Sequence, residues 1–216
     1  MRILGIDGAL DGFSAALLDG DLVSEAASDR PDALEAGLGR INGVLAAQGR
    51  TVRDLDRLAV GIGPGSFTGV RIAVSYAKAL ALAAGVPLAA ISSYDVLTPD
   101  DAPATVLTVV HGRPGVISAR LRTATGTRVA AGPVANVLAE LLDDFRSGEL
   151  ALAGNTEDVY FAIAERGIVV HPLPRRIESP ARAVARLGLT TEPSPSVHAV
   201  APDYGELPAA VVKAVP

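Results

Sequence analysis

Apolar positions along the chain follow two spacings in turn. A short apolar run, Arg2 to Asp7 (RILGID), leads into a Gly/Asp turn over Gly8 to Gly12 and a second run, Phe13 to Leu18. Asp19-Gly20 is a strong hairpin signal and predicts a third strand over Leu22 to Ala26. The period then changes. Leu34, Leu38, Ile41 and Leu45 recur at i, i+4, i+7 and i+11, which predicts a helix from Asp29 to Gln48 capped by Asp29 or Asp32. Leu58 to Ile62 reads as a strand. The run Gly63-Pro64-Gly65-Ser66-Phe67-Thr68-Gly69 opens a long helix from about Ser66 to Ala84, ended by Gly85 and Pro87. A strand over Val86 to Ile91 and a short helix capped by Ser92 or Ser93 complete this half. Pro99 to Pro103 is a polar, proline-bounded break, the expected boundary between an N-terminal lobe, 1–101, and a C-terminal lobe, 102–216.

The second half repeats the first. A shift of 104 positions lays Gly8 on Gly112, Ser14 on Ser118, Ala15 on Ala119 and Leu17 on Leu121. Strands are therefore predicted at Val106–Val110, Val116–Leu121 and about Thr127–Ala131, then a helix at Val134–Arg146 and a strand at Leu150–Ala153. Asn155–Arg166, Ile168–His171 and Ala181–Leu187 follow as helix, strand and closing helix. The tail from Glu192 is proline-rich, with a last helical turn expected at Ala209–Lys213. Two βββαβαβα units in tandem are the α/β topology of duplicated ribonuclease-H-like lobes, shared by actin, sugar kinases and the Hsp70 ATPase. A shared fold alone does not fix a function.

Composition narrows the chemistry. With 216 residues, 49% hydrophobic and 20% charged, the chain can build a sizeable core. The balance of 24 acidic and 19 basic residues gives net −5 and argues against a broad basic surface for nucleic acid. The absence of Cys removes disulfides, thiolate metal sites and a Cys nucleophile, and three scattered His (111, 171, 198) do not suggest a metal centre. Mean hydropathy is high, +0.35, but no charge-free stretch of membrane-spanning length is present. MRILGIDG runs straight into a strand pattern without a signal peptide, so a cytoplasmic protein is expected, with no membrane partner.

Three features could carry function. In the ATPase group a carboxylate at the end of the first strand serves nucleotide chemistry, and hydroxylated residues follow it. Here Asp7-Gly8 is followed by Ala9, and the matching turn of the second half, His111-Gly112-Arg113-Pro114, has no carboxylate. Asp7 and Gly8 thus read as a vestigial phosphate loop, or simply as a turn closed by Asp7. Gly63 to Arg71 follows a strand and opens a helix, where anions often bind. It lacks the Lys-Ser/Thr of a P-loop and the spacing of a dinucleotide fingerprint, and a tight turn with Ser66 or Thr68 as N-cap accounts for it equally. The third feature is a pair of small-residue ridges: Gly39, Gly43 and Ala47 on the first helix, and Gly69, Ala73, Ala77 and Ala81 on the second. Glycine inside a helix costs roughly 1 kcal/mol relative to Ala, so these glycines need a reason, and close helix–helix approach supplies one.

The opening ILGID and the stretch Leu55 to Leu97 resemble the TsaB (YeaZ) family, which acts in making threonylcarbamoyladenosine in tRNA. Its Gly-Pro-Gly-Ser-Phe-Thr-Gly-x-Arg motif is complete at Gly63, Pro64, Gly65, Ser66, Phe67, Thr68, Gly69 and Arg71. The stretch VVHGRPGVISARL and Pro202-Asp203-Tyr204 look like degraded forms of two further family patterns. Two departures stand out: Asp7-Gly8-Ala9 replaces the usual Asp-Thr-Ser, and Arg30-Pro31-Asp32 lacks the usual His. The resemblance implies an ATPase-like fold without its own catalysis. It also implies pairing with a TsaD-like catalytic subunit through the first two helices, self-pairing as a homodimer when that subunit is absent, and association with a TsaE-like ATPase. tRNA would be contacted only through the complex. The expected interface residues are Leu34, Leu38, Gly39, Gly43, Gly69, Arg71, Ala73, Ser75, Ala77 and Lys78. No catalytic or metal-binding residue and no resident cofactor are expected, beyond a nucleotide at the partner interface. An ATP-dependent kinase of the same fold and a metallopeptidase-like hydrolase are the rival readings.

Overall fold

The computed structural model describes residues 1–28, 33–145, 148–175 and 178–205. Two compact units emerge. Among the described residues the first holds 1–96 and 178–203, and the second holds 97–175 with 204–205.

The first unit is built on a five-stranded sheet of order β3-β2-β1-β4-β5. Its strands are β1 (Arg2–Asp7), β2 (Phe13–Asp19), β3 (Leu22–Ser28), β4 (Arg57–Gly63) and β5 (Leu88–Ser92). β1, β2 and β3 form an antiparallel meander, while β4 and β5 continue parallel to β1. Helix α1 (Ala33–Ala46) packs on β2 and β3, and α2 (Phe67–Ala84) packs on β4 and β1. A short α3 (Ser93–Leu97) follows β5. The caps of α2 explain its limits: Ser66 Oγ accepts from the Gly69 N–H at 3.2 Å, and Gly85 closes the helix in the left-handed region. The caps expected for α1 at Asp29 or Asp32 lie outside the described residues.

The second unit repeats this order as β10-β9-β6-β7-β8. It comprises β6 (Val106–His111), β7 (Val116–Thr123), β8 (Gly126–Pro133), α4 (Val134–Leu142), β9 (Glu149–Gly154), α5 (Tyr160–Ala164) and β10 (Val169–Pro172). The duplicated ribonuclease-H-like topology is therefore present in both halves. Its core joins Leu107 and Val109 of β6 to Ile117 and Leu121 of β7 and Leu138 and Leu141 of α4. The predicted last turn at Ala209–Lys213 lies outside the described residues.

The second half contains a one-residue insertion that a gapless alignment hides. Asp7 pairs with Ser14 across β1 and β2, whereas Ser118 of β7 pairs with Val110. Six residues separate Asp7 from Ser14, and seven separate Val110 from Ser118. Since side chains alternate faces along a strand, one added residue shifts the whole of β6 against the sequence match. The counterpart of Asp7 is thus the buried Val110, not His111.

The closing helix α6 (Pro180–Gly188) departs from expectation more strongly. Read as the end of the 102–216 lobe, it instead lies on β1, β2 and β4 of the first unit. Ala181, Ala185 and Gly188 line its inner side, and they meet Gly5 and Ala59. A Cβ at Gly5 would run into the Ala181 carbonyl and stand 2.8 Å from the Ala185 Cβ. Small residues on both surfaces let the helix backbone settle on the strands. The Ala181 N–H donates to Ser14 Oγ at 3.1 Å, and Arg57 donates to the Gly188 and Thr191 carbonyls, holding both ends. Ser179 caps the helix and also donates to Glu25 of β3 at 2.7 Å.

Candidate functional site

Helices α1 and α2 cover one face of the first sheet, and α6 covers the other. Gly5 and Ile3 meet α6, so Leu4 and Ile6 point to the α1/α2 side. The buried face of α1 runs through Gly37, Ile41, Val44 and Leu45. Gly37 lets α1 lie close against α2: a Cβ there would sit 2.9 Å from Tyr76 and 3.2 Å from Phe13. This seating turns Leu38 to the rim, 46% exposed, where the periodicity had placed it with the core-facing leucines. Side chains at Leu34 lie outside the described residues.

The two ridges have opposite fates. Among the described residues, a Cβ added at Gly39 or Gly43 would meet nothing within 4 Å, so this stripe of α1 stands open. The α2 ridge is sealed inside its own unit. Gly69 abuts the Gly8 carbonyl, and Ala73 and Ala77 are fully buried. Gly69, Ala73 and Ala77 are therefore no part of an exposed face, because the close approach they permit is to the strands and the β1–β2 turn. Lys78 is also otherwise engaged: its Nζ donates to the Val200 carbonyl at 2.9 Å and the His198 carbonyl at 3.3 Å, tying the returning chain to α2.

What α2 does expose is a different edge. Phe67 is 56% exposed, with the Arg71 guanidinium 5.3 Å from its ring centre, and Leu82 is 57% exposed. Ser75 is exposed but bonds back to the Arg71 carbonyl at 2.7 Å. The outward surface of α1 thus combines exposed Leu38 with the bare Gly39–Gly43 stripe, while Phe67 and Leu82 stand on the edge of α2 turned away from Tyr76 and α1. Gly43 lies inside α1 with open space beside it, so Gly43→Ala should raise the stability of the isolated chain by about 1 kcal/mol, read from denaturant unfolding.

The motif from Gly63 to Ser66 serves the local fold. Gly63 and Gly65 hold φ of 99° and 154°, and a Cβ at either would strike a carbonyl: that of Asp203 at Gly63, that of Ala9 at Gly65. The Gly63–Pro64 peptide is cis. The Ser66 N–H donates to the Ala9 carbonyl at 2.9 Å, and the Asp203 N–H donates to Ile62 at 2.6 Å. The turn after β1 thus sits directly against the start of α2 and takes up part of its free backbone donors. Asp203 was legible only as a fragment of the Pro-x-Tyr pattern; its packing on Gly63 gives that fragment a structural use.

Asp7 is fully buried. Its Oδ1 accepts from the Leu10 N–H at 2.9 Å, while Oδ2 has no hydrogen-bond partner and lies against Gly61. Burial pushes the carboxyl up to about 7; the Leu10 and Ala9 N–H groups oppose the rise and Asp11 adds to it. With Gly61 packed on one oxygen and Leu10 on the other, this carboxyl closes a turn. Among the described residues, no group of three or more His, Asp or Glu side chains gathers as a metal-ligand set.

Comparison with known proteins gives the family. A family model described as "TsaD: tRNA N6-adenosine threonylcarbamoyltransferase" matches residues 36–192. The chain is 38% identical over 94 residues to the Escherichia coli tRNA threonylcarbamoyladenosine biosynthesis protein TsaB, covering 43% of this chain and 41% of that protein. It is 49% identical over 45 residues to the Bacillus subtilis TsaB, 21% of this chain and 20% of that one. These alignments span less than half the length of the relatives they match. The solved structure of YeaZ from Pseudomonas aeruginosa shares the fold, with a TM-score of 0.66 at 21% identity over 94% of this chain and 99% of that one. Another Pseudomonas aeruginosa structure, of a protein described as similar to peptidase YeaZ, also has a TM-score of 0.66, at 20% identity over 95% and 99%. With well over half of its length matched, the chain belongs to the family that the TsaD model describes, and its curated relatives there are the TsaB (YeaZ) proteins.

Proposed function

We propose that this protein is a non-catalytic partner subunit in the biosynthesis of threonylcarbamoyladenosine in tRNA. It pairs with a TsaD-like catalytic subunit through the outer faces of α1 and α2. The observation that carries the reading is the open Gly39–Gly43 stripe beside exposed Leu38 on α1. Bare glycines inside a helix weaken it, and among the described residues nothing uses the space they leave. A second helix pair can nest there with axes closer than usual and cover Leu38. The names of the relatives supply the process; the buried, turn-closing Asp7 and the valine at its counterpart support a role without nucleotide chemistry of its own.

The same surface would let two copies pair when the catalytic subunit is absent. A TsaE-like ATPase and tRNA would join through the assembled complex, and any nucleotide would lie at the partner interface. The working compartment would be the cytoplasm. Helix α2 is long and apolar enough to meet a membrane-span criterion, but it carries Arg71 and Lys78 and seats Val70, Ala73, Val74 and Ala77 on its own sheet.

The test is Gly43→Arg. An arginine on an open helix face should leave the melting temperature of the isolated chain unchanged or slightly raised. It should weaken binding to the host's TsaD-like subunit by at least about 100-fold in calorimetry, since a long charged side chain would stand where the axes must approach. Wild-type affinity in this variant would remove the interface. Ala73→Arg is no substitute, because Ala73 is buried and the variant would report on folding.

A further inference from the structure

We propose that the β1–β2 turn, together with the first turn of α2 that rests on it, is a pH-operated latch, closed while the Asp7 carboxyl holds its proton and opening to water when the proton leaves. Asp7 has no exposed atom, and its Oδ2 faces Gly61 without a partner. A neutral carboxyl tolerates that position, but a carboxylate with a bare buried oxygen does not. Gly61 belongs to a central strand and cannot yield. Relief has to come from the turn over 8–12, which is already strained: Asp11, a non-glycine residue, holds φ of 46°.

The turn is also what supports the start of α2. The Gly8 carbonyl lies on Gly69, and the Ala9 carbonyl takes the Ser66 N–H and abuts Gly65. Lifting the turn frees the N-cap residue and, with it, the base of Phe67. The charges nearby leave the proton on Asp7 as the control. Asp11, on the same turn, repels the ionised form. β2 brings Ser14, β4 brings Gly61, α2 brings Gly69 and Ala73, and α6 brings Ala181, none of which titrates. Arg182 of α6 is paired with Glu25 and Glu178, and Asp203 meets this end of β4 through its backbone. The measured pH response of Asp7 should centre near 7, where burial places it.

The latch goes beyond partner binding and is tested on the isolated full chain, so its failure would leave the interface reading untouched. Amide hydrogen exchange, corrected for intrinsic rates, should show opening of segments 8–12 and 66–70 rising roughly tenfold between pH 6 and pH 8.5. Segments of β6 and β7 should stay unchanged, and Asp7→Asn should abolish the rise. Equal protection at the two pH values, or the same rise in Asp7→Asn, would overturn the latch. Should that variant fold poorly, carboxyl-carbon NMR of the wild type decides. Titration of Asp7 near 7 with matching shifts of the Leu10 and Ser66 amides supports it; titration near 4, or near 7 without those shifts, sinks it.

Discussion

Gly5→Ala, the addition of a single methyl group, should cost more than about 3 kcal/mol and could leave the first unit unable to hold α6. The new Cβ would drive into the Ala181 carbonyl and stand 2.7 Å from the Ala185 N and 2.8 Å from its Cβ. Two of these three atoms are helix backbone, so no rotamer change can clear them. The helix would have to lift off the sheet. That movement breaks the bond from the Ala181 N–H to Ser14 and exposes Ala181, Val184 and Ala185, all fully buried at present. Denaturant unfolding measures the loss, and limited proteolysis within 178–203 locates it. A cost below about 1 kcal/mol would mean that α6 does not bear on β1 as described. The opposite sign expected for Gly43→Ala sharpens the comparison. The same substitution stabilises where the space is open and destabilises where a backbone fills it.

That contrast also shows what sequence can and cannot reveal here. Strand and helix positions were legible because spacing registers burial on one face, and the caps of α2 were legible because Ser66 and Gly85 have few other uses at such places. Small residues in a row signal close approach, but they do not name the neighbour. For Gly39 and Gly43 nothing among the described residues comes near; for Gly69, Ala73 and Ala77 the neighbour is the chain's own turn and sheet; for Ala181 and Ala185 it is a strand about 180 positions away, and for Gly188 one about 130 positions away. Lys78 shows the same limit. A lysine on a helix edge looks free until a distant segment lays two carbonyls on it. The match of Gly8 with Gly112 misled for a different reason, since one residue gained between paired strands moves a strand's faces without disturbing its composition. The exposed Phe67–Arg71 pair was visible as part of a motif, but its stacking depends on the helix starting at Phe67.

Asp7→Asn should stabilise the protein at pH 8 by about 2–4 kcal/mol and flatten its stability between pH 5 and pH 8. The carboxyl stands near 7 in the folded chain and at about 3.8 when exposed in the unfolded one, so between those values the folded state binds the extra proton. Wild-type stability must therefore fall as pH rises through this window, and the loss is complete once pH passes the folded value. A shift of about three pH units corresponds to about 4 kcal/mol, an upper figure for a group that the turn can partly release to water. Asparagine keeps the oxygen that accepts from Leu10 and carries no charge, so it escapes the penalty and should match the wild type within about 1 kcal/mol at pH 5. Asp54 and Asp56 act at the other end of the scale. Backbone N–H groups of Thr51 and Arg2 hold both carboxyls below their usual range. Their contribution is present above the unfolded carboxylate pKa and disappears as pH falls through the folded values, well clear of the Asp7 window. Urea unfolding at half-unit steps from pH 4.5 to 8.5 separates the two: a wild-type curve that does not decline across this range, or a variant that declines with it, would show that Asp7 is not the group that loses its proton there.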